Sequence, residues 1–248
     1  MKKLTTLGIY KSYDNVPIIE NINLTVHQNE MVCLLGASGI GKTTLFNILS
    51  GIEKPTKGEV FLDTKDITGI PGNVSYMQQK DLLLPYKTTL DNVALPLVIK
   101  GYSKKEAQKE AEGYLDDFLL AGSEKKYPYQ LSGGMRQRAA LLRTYLFSKE
   151  VMLLDEPFSK LDTITKSHMH SWYLKVRKRF KSTTLFITHD IDEAILLSDR
   201  IYILSGKPAT LTKEMSINTK EKRDEAFTTS DAFIKYKKEI LAHIHIAN

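Results

Sequence analysis

The sequence predicts an α/β fold: a mostly parallel sheet buried on both faces, interrupted by a mostly helical insertion at about residues 85–135. Three observations carry that reading. Met31-Val32-Cys33-Leu34-Leu35 and Val151-Met152-Leu153-Leu154 are continuous apolar runs, and Thr183 to Ile187 is a similar one, which marks strands covered on both sides. Each run ends in a glycine or polar stretch and is followed by residues at helical spacing, the alternation expected of parallel strand–helix–strand units. From Ser103 to Leu120 a helical pattern replaces that alternation.

Taken in order, residues 4–26 read as two strands, with Leu7, Ile9, Ile18, Ile19, Ile22, Leu24 and Val26 on the apolar side. Asp14-Asn15 and Pro17 supply the turn. After Met31–Leu35 come a glycine-rich loop and a short helix with Gly51 as its stop. Glu59 to Leu62 reads as a strand, Asp63 to Gly72 as a polar loop, and Val74 to Met77 as another strand. Leu82-Leu83-Leu84 beside Pro85 fits no regular element; these leucines are buried either within this chain or against a partner. Residues 88–100 continue apolar. Ser103 and Glu106 form a capping box for a helix with Ala107, Ala111, Leu115, Phe118 and Leu119 as its stripe and Gly122 as its end. Ser132 N-caps the next helix, lined by Ala139, Ala140, Leu142, Leu146 and Phe147. Helices at Thr163–Phe180 and Ile191–Leu197 flank the Thr183 strand, and Arg200 to Leu204 is a further strand. Residues 213–229 are polar and patternless. Phe233, Tyr236, Ile240, Leu241 and Ile244 place a final amphipathic helix, on which His243 and His245 face apart and make no metal pair.

The 248 residues, 42% of them hydrophobic, suffice for one substantial core, or one core with a smaller lobe. No stretch reaches the roughly 20 apolar residues that span a bilayer, and the N-terminus lacks the apolar centre of a signal peptide. The single cysteine, Cys33, rules out an internal disulfide, suits the cytosol and reads as core packing. A net charge of +6 is compatible with nucleic acid, an anionic membrane surface or nothing specific. Its densest cluster, Lys175, Arg177, Lys178, Arg179 and Lys181, reads as a solvated helix end.

The chemistry centres on Gly36-Ala37-Ser38-Gly39-Ile40-Gly41-Lys42-Thr43, which fits the phosphate-binding pattern G-x-x-x-x-G-K-[ST] between a strand and a helix. Glycines let successive N–H groups converge on an anion, and the helix start adds partial positive charge. Lys42 can reach the β- and γ-phosphates and the Thr43 hydroxyl can bind Mg²⁺. Asp155, ending an apolar run, suits a Mg²⁺-anchoring carboxylate, with Glu156 beside it to polarise a water. His189 follows a third strand; it is either a structural histidine or part of the same crevice, where the carboxyl ends of parallel strands meet a ligand. Tyr13 is either an edge-packing residue or an aromatic platform for a base.

Leu131-Ser132-Gly133-Gly134-Met135-Arg136-Gln137-Arg138 resembles the signature of the nucleotide-binding subunits of ATP-binding cassette (ABC) transporters. It stands in family order with the P-loop at 36–43, a Walker B-like strand from Val151 to Glu156, a D-loop-like Ser159-Lys160-Leu161-Asp162, a Thr188-His189-Asp190 switch-histidine segment and a Q-loop Gln79. The resemblance covers about residues 4–212. It implies a P-loop NTPase (RecA-like) core with an antiparallel β subdomain and a helical insertion subdomain, one ABC ATPase domain over 1–248 with a C-terminal tail and helix from about 213. No larger C-terminal regulatory domain is expected. Gln79 to Tyr86, the signature and Asp190-Ile191-Asp192-Glu193-Ala194 resemble, more narrowly, the importer subgroup for nitrate, sulfonates, taurine and pyrimidine precursors of thiamine.

That resemblance implies a head-to-tail homodimer in which each ATP lies between one copy's P-loop and the other's signature. Tyr13 would stack on adenine. Gly36, Ala37, Ser38, Gly39, Ile40, Gly41, Lys42, Thr43 and Thr44 would bind the phosphates, and Leu131, Ser132, Gly133, Gly134, Met135 and Gln137 would meet the ATP of the opposite copy. Thr43, Asp155 and Gln79 would hold Mg²⁺. Glu156 would act as general base with His189 and Gln79 beside it, and Asp162 would link the two halves. The implied partners are membrane-spanning permease subunits and, indirectly, an extracytoplasmic substrate-binding protein, with no nucleic acid; the place is the cytoplasmic face of the membrane, as a peripheral subunit. Two departures stand out: Ser159-Lys160 where the subgroup often has Gly-Ala, and a short loop from Asp63 to Tyr76. The alternative is a soluble ABC ATPase acting on ribosomes or DNA; one cassette and no sustained heptads disfavour it. An unrelated P-loop kinase or GTPase lacks the signature.

Overall fold

The computed structural model describes residues 1–219 and 221–246, with side chains to residue 244. It opens with an antiparallel layer. β1 (Lys2–Tyr13) turns through Asp14 and Asn15, both at positive φ (49° and 64°), into β2 (Val16–Ile22). Such a turn matches the twist of a hairpin. Residues 4–26 contain three strands, not two: β3 (Thr25–His27) returns to pair with the first half of β1. β4 (Met31–Leu35) is buried at every residue and leads through the glycine loop to α1 (Lys42–Leu49). β5 (Lys57–Leu62) pairs with β1. Where a polar loop is expected after it, Lys65–Asp66 form a short β6 that pairs back on β5. β7 (Ser75–Met77) follows.

The helical insertion expected near 85–135 contains α2 (Thr89–Ile99) and α3 (Lys104–Glu112). The capping box at Ser103 and Glu106 is present, but α3 stops at Gly113, well before Gly122. Leu115 and Phe118 reach the core from a run of turns, while Leu119, at φ 52°, is 55% exposed and leaves the predicted stripe. α4 (Gly133–Phe147) is N-capped by Ser132. Phe147 is only half-buried. β8 (Val151–Asp155), α5 (Thr163–Phe180), β9 (Thr183–Thr188), α6 (Ile191–Leu197) and β10 (Arg200–Ser205) then alternate as the periodicity predicts. The segment read as patternless begins inside β11 (Thr210–Ser216), antiparallel to β10, and α7 (Asp231–Ile246) closes the described chain. His243 bonds the Glu239 carbonyl; the side chain of His245 lies outside the described residues. In the basic cluster Arg177 pairs with Asp199 and Arg179 with Asp117, so it serves partly as helix anchoring.

The main sheet has the order β11-β10-β4-β9-β8-β7, parallel apart from β11. Alternate residues of β4 face opposite cores. Met31, Cys33 and Leu35 pack with α2 to α7, whereas Val32 and Leu34 pack with α1 and the antiparallel layer. Each such buried side chain contributes about 1.5–3 kcal/mol over leaving it in water. The sheet is therefore rigid, and its registers fix what lies at its carboxyl edge: Leu35 is level with Thr188, Asp155 with Ile187, and Met77 with Leu154.

Candidate functional site

The residues that follow β4, β7 and β8 share one cleft of about 450 Å³, lined by Tyr13, Ser38, Lys42, Thr43, Gln79 and Glu156 among others; His189, after β9, meets it through Glu156. Gly36 leaves the sheet where a Cβ would stand 2.8 Å from the Leu204 carbonyl oxygen, and Gly41 turns into α1 at φ 110°, which L side chains rarely adopt. Between them the loop carries Ala37, Ser38, Gly39 and Ile40, with Ala37 to Gly39 exposed. Lys42 is 5% exposed, and its ammonium donates to the carbonyls of Gly36 (2.8 Å) and Ala37 (2.7 Å). Burial lowers its pKa, against the opposing pull of Glu156 and Asp155.

Across the cleft, the Thr43 hydroxyl donates to Asp155 Oδ2 at 3.0 Å. Burial raises the Asp155 carboxyl; the Thr43 bond opposes this, and the neighbouring Glu156 charge adds to it. A hydroxyl and a carboxylate in this contact, with phosphate oxygens beside them, make an all-oxygen donor set that fits Mg²⁺, which is ordinarily held by one or two carboxylates plus phosphates. No group of three or more His, Cys, Asp or Glu that could hold a metal occurs among the described residues. Tyr76 also reaches Asp155 Oδ2, at 3.4 Å, and its phenol is pushed up by burial and then by that carboxylate. Sequence reasoning passes over Tyr76; only the pairing of β7 with β8 brings it there.

Glu156 sits at φ 46°, a left-handed conformation uncommon for a residue with a side chain. Its carboxylate accepts from Gln79 Nε2 at 3.0 Å and faces His189 Nδ1 at 3.0 Å, the ring N–H donating. Gln79 and His189 are thus brought to Glu156; Gln79 bonds neither Thr43 nor Asp155. Tyr13 is 43% exposed at the cleft mouth, its hydroxyl donating to Glu53 at 2.5 Å and the Lys11 ammonium lying 4.9 Å from its ring centre. Thr44 also lines the cleft.

The signature segment does not line this cleft. Leu131 is buried, Ser132 and Gly133 are exposed, and Ser132 Oγ accepts from the Met135 N–H at 3.2 Å. Gly134 is buried close to Thr165, and Gln137 donates to the Pro157 carbonyl. Asp162 caps α5 by accepting from Thr165 N–H at 3.0 Å, and the Thr165 bonds hold its carboxyl below the usual range. Lys160 is exposed beside it. The triple leucine divides: Leu83 is in the core, Leu84 is half-buried, and Leu82, at φ 46°, is 49% exposed.

Residues 19–159, more than half of the chain, match the family described as ABC transporter. The formylaminopyrimidine import ATP-binding protein ThiZ of Halalkalibacterium halodurans is 47% identical over 77% of this chain and 75% of its own. The nitrate import ATP-binding protein NrtD of Synechocystis sp. is 37% identical (91% and 87% covered), and the aliphatic sulfonates import ATP-binding protein SsuB of Bacillus cereus 38% (93% and 90%). Among solved structures, a dimeric post-hydrolysis state of the ATP-binding cassette MJ0796 bound to ADP and Pi superposes with a TM-score of 0.74 at 29% identity, covering 87% of this chain and 99% of that one. The cleft, the fold around it and these relatives agree: the chain belongs to the ABC transporter family, as one of its ATP-binding, ATP-hydrolysing subunits.

Proposed function

We propose that the chain energises an importer of a small solute of the nitrate, sulfonate, taurine or thiamine-precursor pyrimidine type, and does so as a homodimer with two shared ATP sites. The observation that carries the shared site is a separation. The P-loop, Asp155, Glu156 and Gln79 surround one cleft, with His189 bonded to Glu156 beside it, while the N-terminus of α4, with Ser132 and Gly133 exposed, is not part of it. A helix start with an exposed hydroxyl and glycines suits an anion, and the first turn of α4 carries no acidic residue. A second copy placed head to tail would supply the anion.

Within this reading each residue has a task. Tyr13 stacks on the adenine. The N–H groups of the 36–43 loop and of Thr44 receive the phosphates, and Lys42 exchanges its two carbonyl contacts for phosphate oxygens. Thr43 and Asp155 would hold Mg²⁺, with Gln79, bonded to the adjacent Glu156, as the further ligand the resemblance implies. Bound Mg²⁺ neutralises phosphate charge and polarises the phosphoryl group. Glu156 accepts the proton of the attacking water, and His189, already on the same carboxylate, orients it and faces the γ-phosphate. Leu131, Ser132, Gly133, Gly134, Met135 and Gln137 present the helix start to the partner's nucleotide, and Asp162 lies at the seam.

No helix among the described residues is long and apolar enough to cross a membrane. The proposed place is accordingly peripheral, on the cytoplasmic face, against membrane-spanning subunits fed by an extracytoplasmic binding protein. A groove of about 410 Å³ lined by Ile52, Val74, Leu82, Leu84, Leu95 and Ile99 is the proposed seat of a helix of the membrane subunit, and it explains why Leu82 and Leu84 stay incompletely buried. The test is to recover the tagged chain from detergent-solubilised membranes. Co-purification with a membrane subunit supports the reading; recovery with ribosomes or DNA, and no membrane subunit, defeats it.

A further inference from the structure

Behind the Glu156–His189 contact lies a second set of polar groups, buried and unused by the site. Thr188, the last residue of β9, donates its hydroxyl to Glu193 Oε2, and Glu193 Oε1 is 3.0 Å from His170 Nε2. All three are buried: Thr188 is 2% exposed, Glu193 3% and His170 7%. The His170 ring meets Phe158 edge to face, 5.0 Å between centres, and Phe158 is fully buried two residues after Glu156. One turn earlier on α5, Lys166 Nζ donates to Asp190 Oδ2 at 2.6 Å. Asp190 in turn caps α6, accepting from the N–H groups of Asp192 and Glu193, and its own N–H donates to Thr188 Oγ1 at 3.1 Å.

Both chain neighbours of His189 are therefore tied to α5, from positions four apart on one helix face. The contacts close a ring. It runs from Glu156 through Phe158 to His170, on to Glu193 and Thr188, and back through His189 to Glu156. Burying a carboxylate and an imidazole costs desolvation and is weak evidence for stability. What such a network adds is direction, because every member fixes the next.

We propose that Glu193, with His170 and Lys166, is the positioning unit for His189. It holds the strand end and the helix start between which the histidine sits, so that the imidazole meets Glu156 in one geometry. Because Asp162 is the N-cap of α5, the same bracket ties the proposed dimer seam to the histidine. The proposal rests on the reading of Glu156 and His189 as the reacting pair.

The test measures kcat and KM for ATP with Mg²⁺ on the full-length chain. Glu193→Ala is expected to lower kcat about tenfold with KM changed by less than about twofold, since a misplacement of one ångström costs up to two orders of magnitude in rate. Glu193→Gln can accept from Thr188 and donate to His170, and is expected to restore kcat to within about twofold. In a His189→Ala background, Glu193→Ala should add no further loss. An equal loss in that background means that Glu193 acts on the fold at large and overturns the proposal. Lys166→Gln, at the outer end of the bracket, covers the case in which Glu193→Ala does not fold; a drop of about threefold in kcat at constant KM is expected. If His189→Ala is inactive while the Glu193 and Lys166 variants keep parental kcat, the bracket alone is refuted. If His189→Ala keeps parental kcat, the reading of His189 falls and the bracket with it.

Discussion

Replacing Glu156 by glutamine removes the proposed base while leaving its surroundings almost intact. The side chain is 13% exposed and has two partners, Gln79 and His189, each at 3.0 Å. Glutamine has the same shape and keeps one acceptor and gains a donor, so one contact survives directly and the other is recovered by turning the Gln79 amide or shifting the His189 proton. The fold should lose little. The removed charge also matters to Asp155, whose carboxyl burial raises and Glu156 raises further. Without Glu156 the Asp155 pKa falls toward its ordinary value, so its ionised, Mg²⁺-binding form is favoured at least as well as before. ATP and Mg²⁺ should thus bind undiminished. General-base catalysis contributes about 10²–10⁴-fold, or about 3–5 kcal/mol of barrier. Steady-state phosphate release should fall by that factor, and light scattering should show an ATP-dependent dimer that persists. Turnover within about tenfold of the parent would refute the base assignment. So would an ATP affinity weakened by more than about tenfold, since in the proposed site this carboxylate meets the attacking water and not the nucleotide.

Two further outcomes follow from the geometry. Tyr13→Phe should keep ATP affinity, because stacking uses the ring and not the hydroxyl bonded to Glu53, whereas Tyr13→Ala should weaken it by about 1–3 kcal/mol in a nucleotide titration. Far from the cleft, Arg200 donates to Glu30 through two nitrogens, at 2.9 and 2.8 Å, both side chains being largely buried. Burial pushes the Glu30 carboxyl up, but the bonds from Arg200 and the His27 N–H outweigh it and hold the pKa below the usual value. A folded pKa below the unfolded one gives stability that is present above about pH 4.3 and lost as pH falls through the folded value. Arg200→Met should cost about 3 kcal/mol in urea unfolding at neutral pH and flatten that acid-side loss.

What could be read from the sequence follows how strongly each element is buried. The helices at 163–180 and 191–197 coincide with their predicted bounds, because each carries its own start signal, Asp162 or Asp190, whose side chain accepts from the first-turn N–H groups. β11 was invisible because it is an edge strand: most of its side chains meet water, and it is held by backbone pairing to β10, which leaves little mark in hydropathy. α3 was overextended because Leu115 and Phe118 are buried without being helical; a turn run with Leu119 at positive φ places them. The P-loop, Asp155 and Glu156 were legible as one cluster because each follows an apolar run, whereas His189 kept two readings until the structure set it against Glu156. Tyr76 and the His170–Glu193 pair were not, since their contacts depend on strand pairing and on the packing of α5 against α6, which no local pattern records.

The central claim is that the P-loop of one copy and the signature of another share one ATP. Ser38 and Ser132 are both exposed, and the single native cysteine, Cys33, is fully buried, so introduced thiols can be read alone. A Ser38→Cys, Ser132→Cys double variant in the Glu156→Gln background, treated with a short bis-maleimide, should give a covalent dimer that forms only with ATP and Mg²⁺. Each single-cysteine variant should fail to link alone and link when the two are mixed. A bond within one chain, or the same yield without ATP, would contradict the shared site.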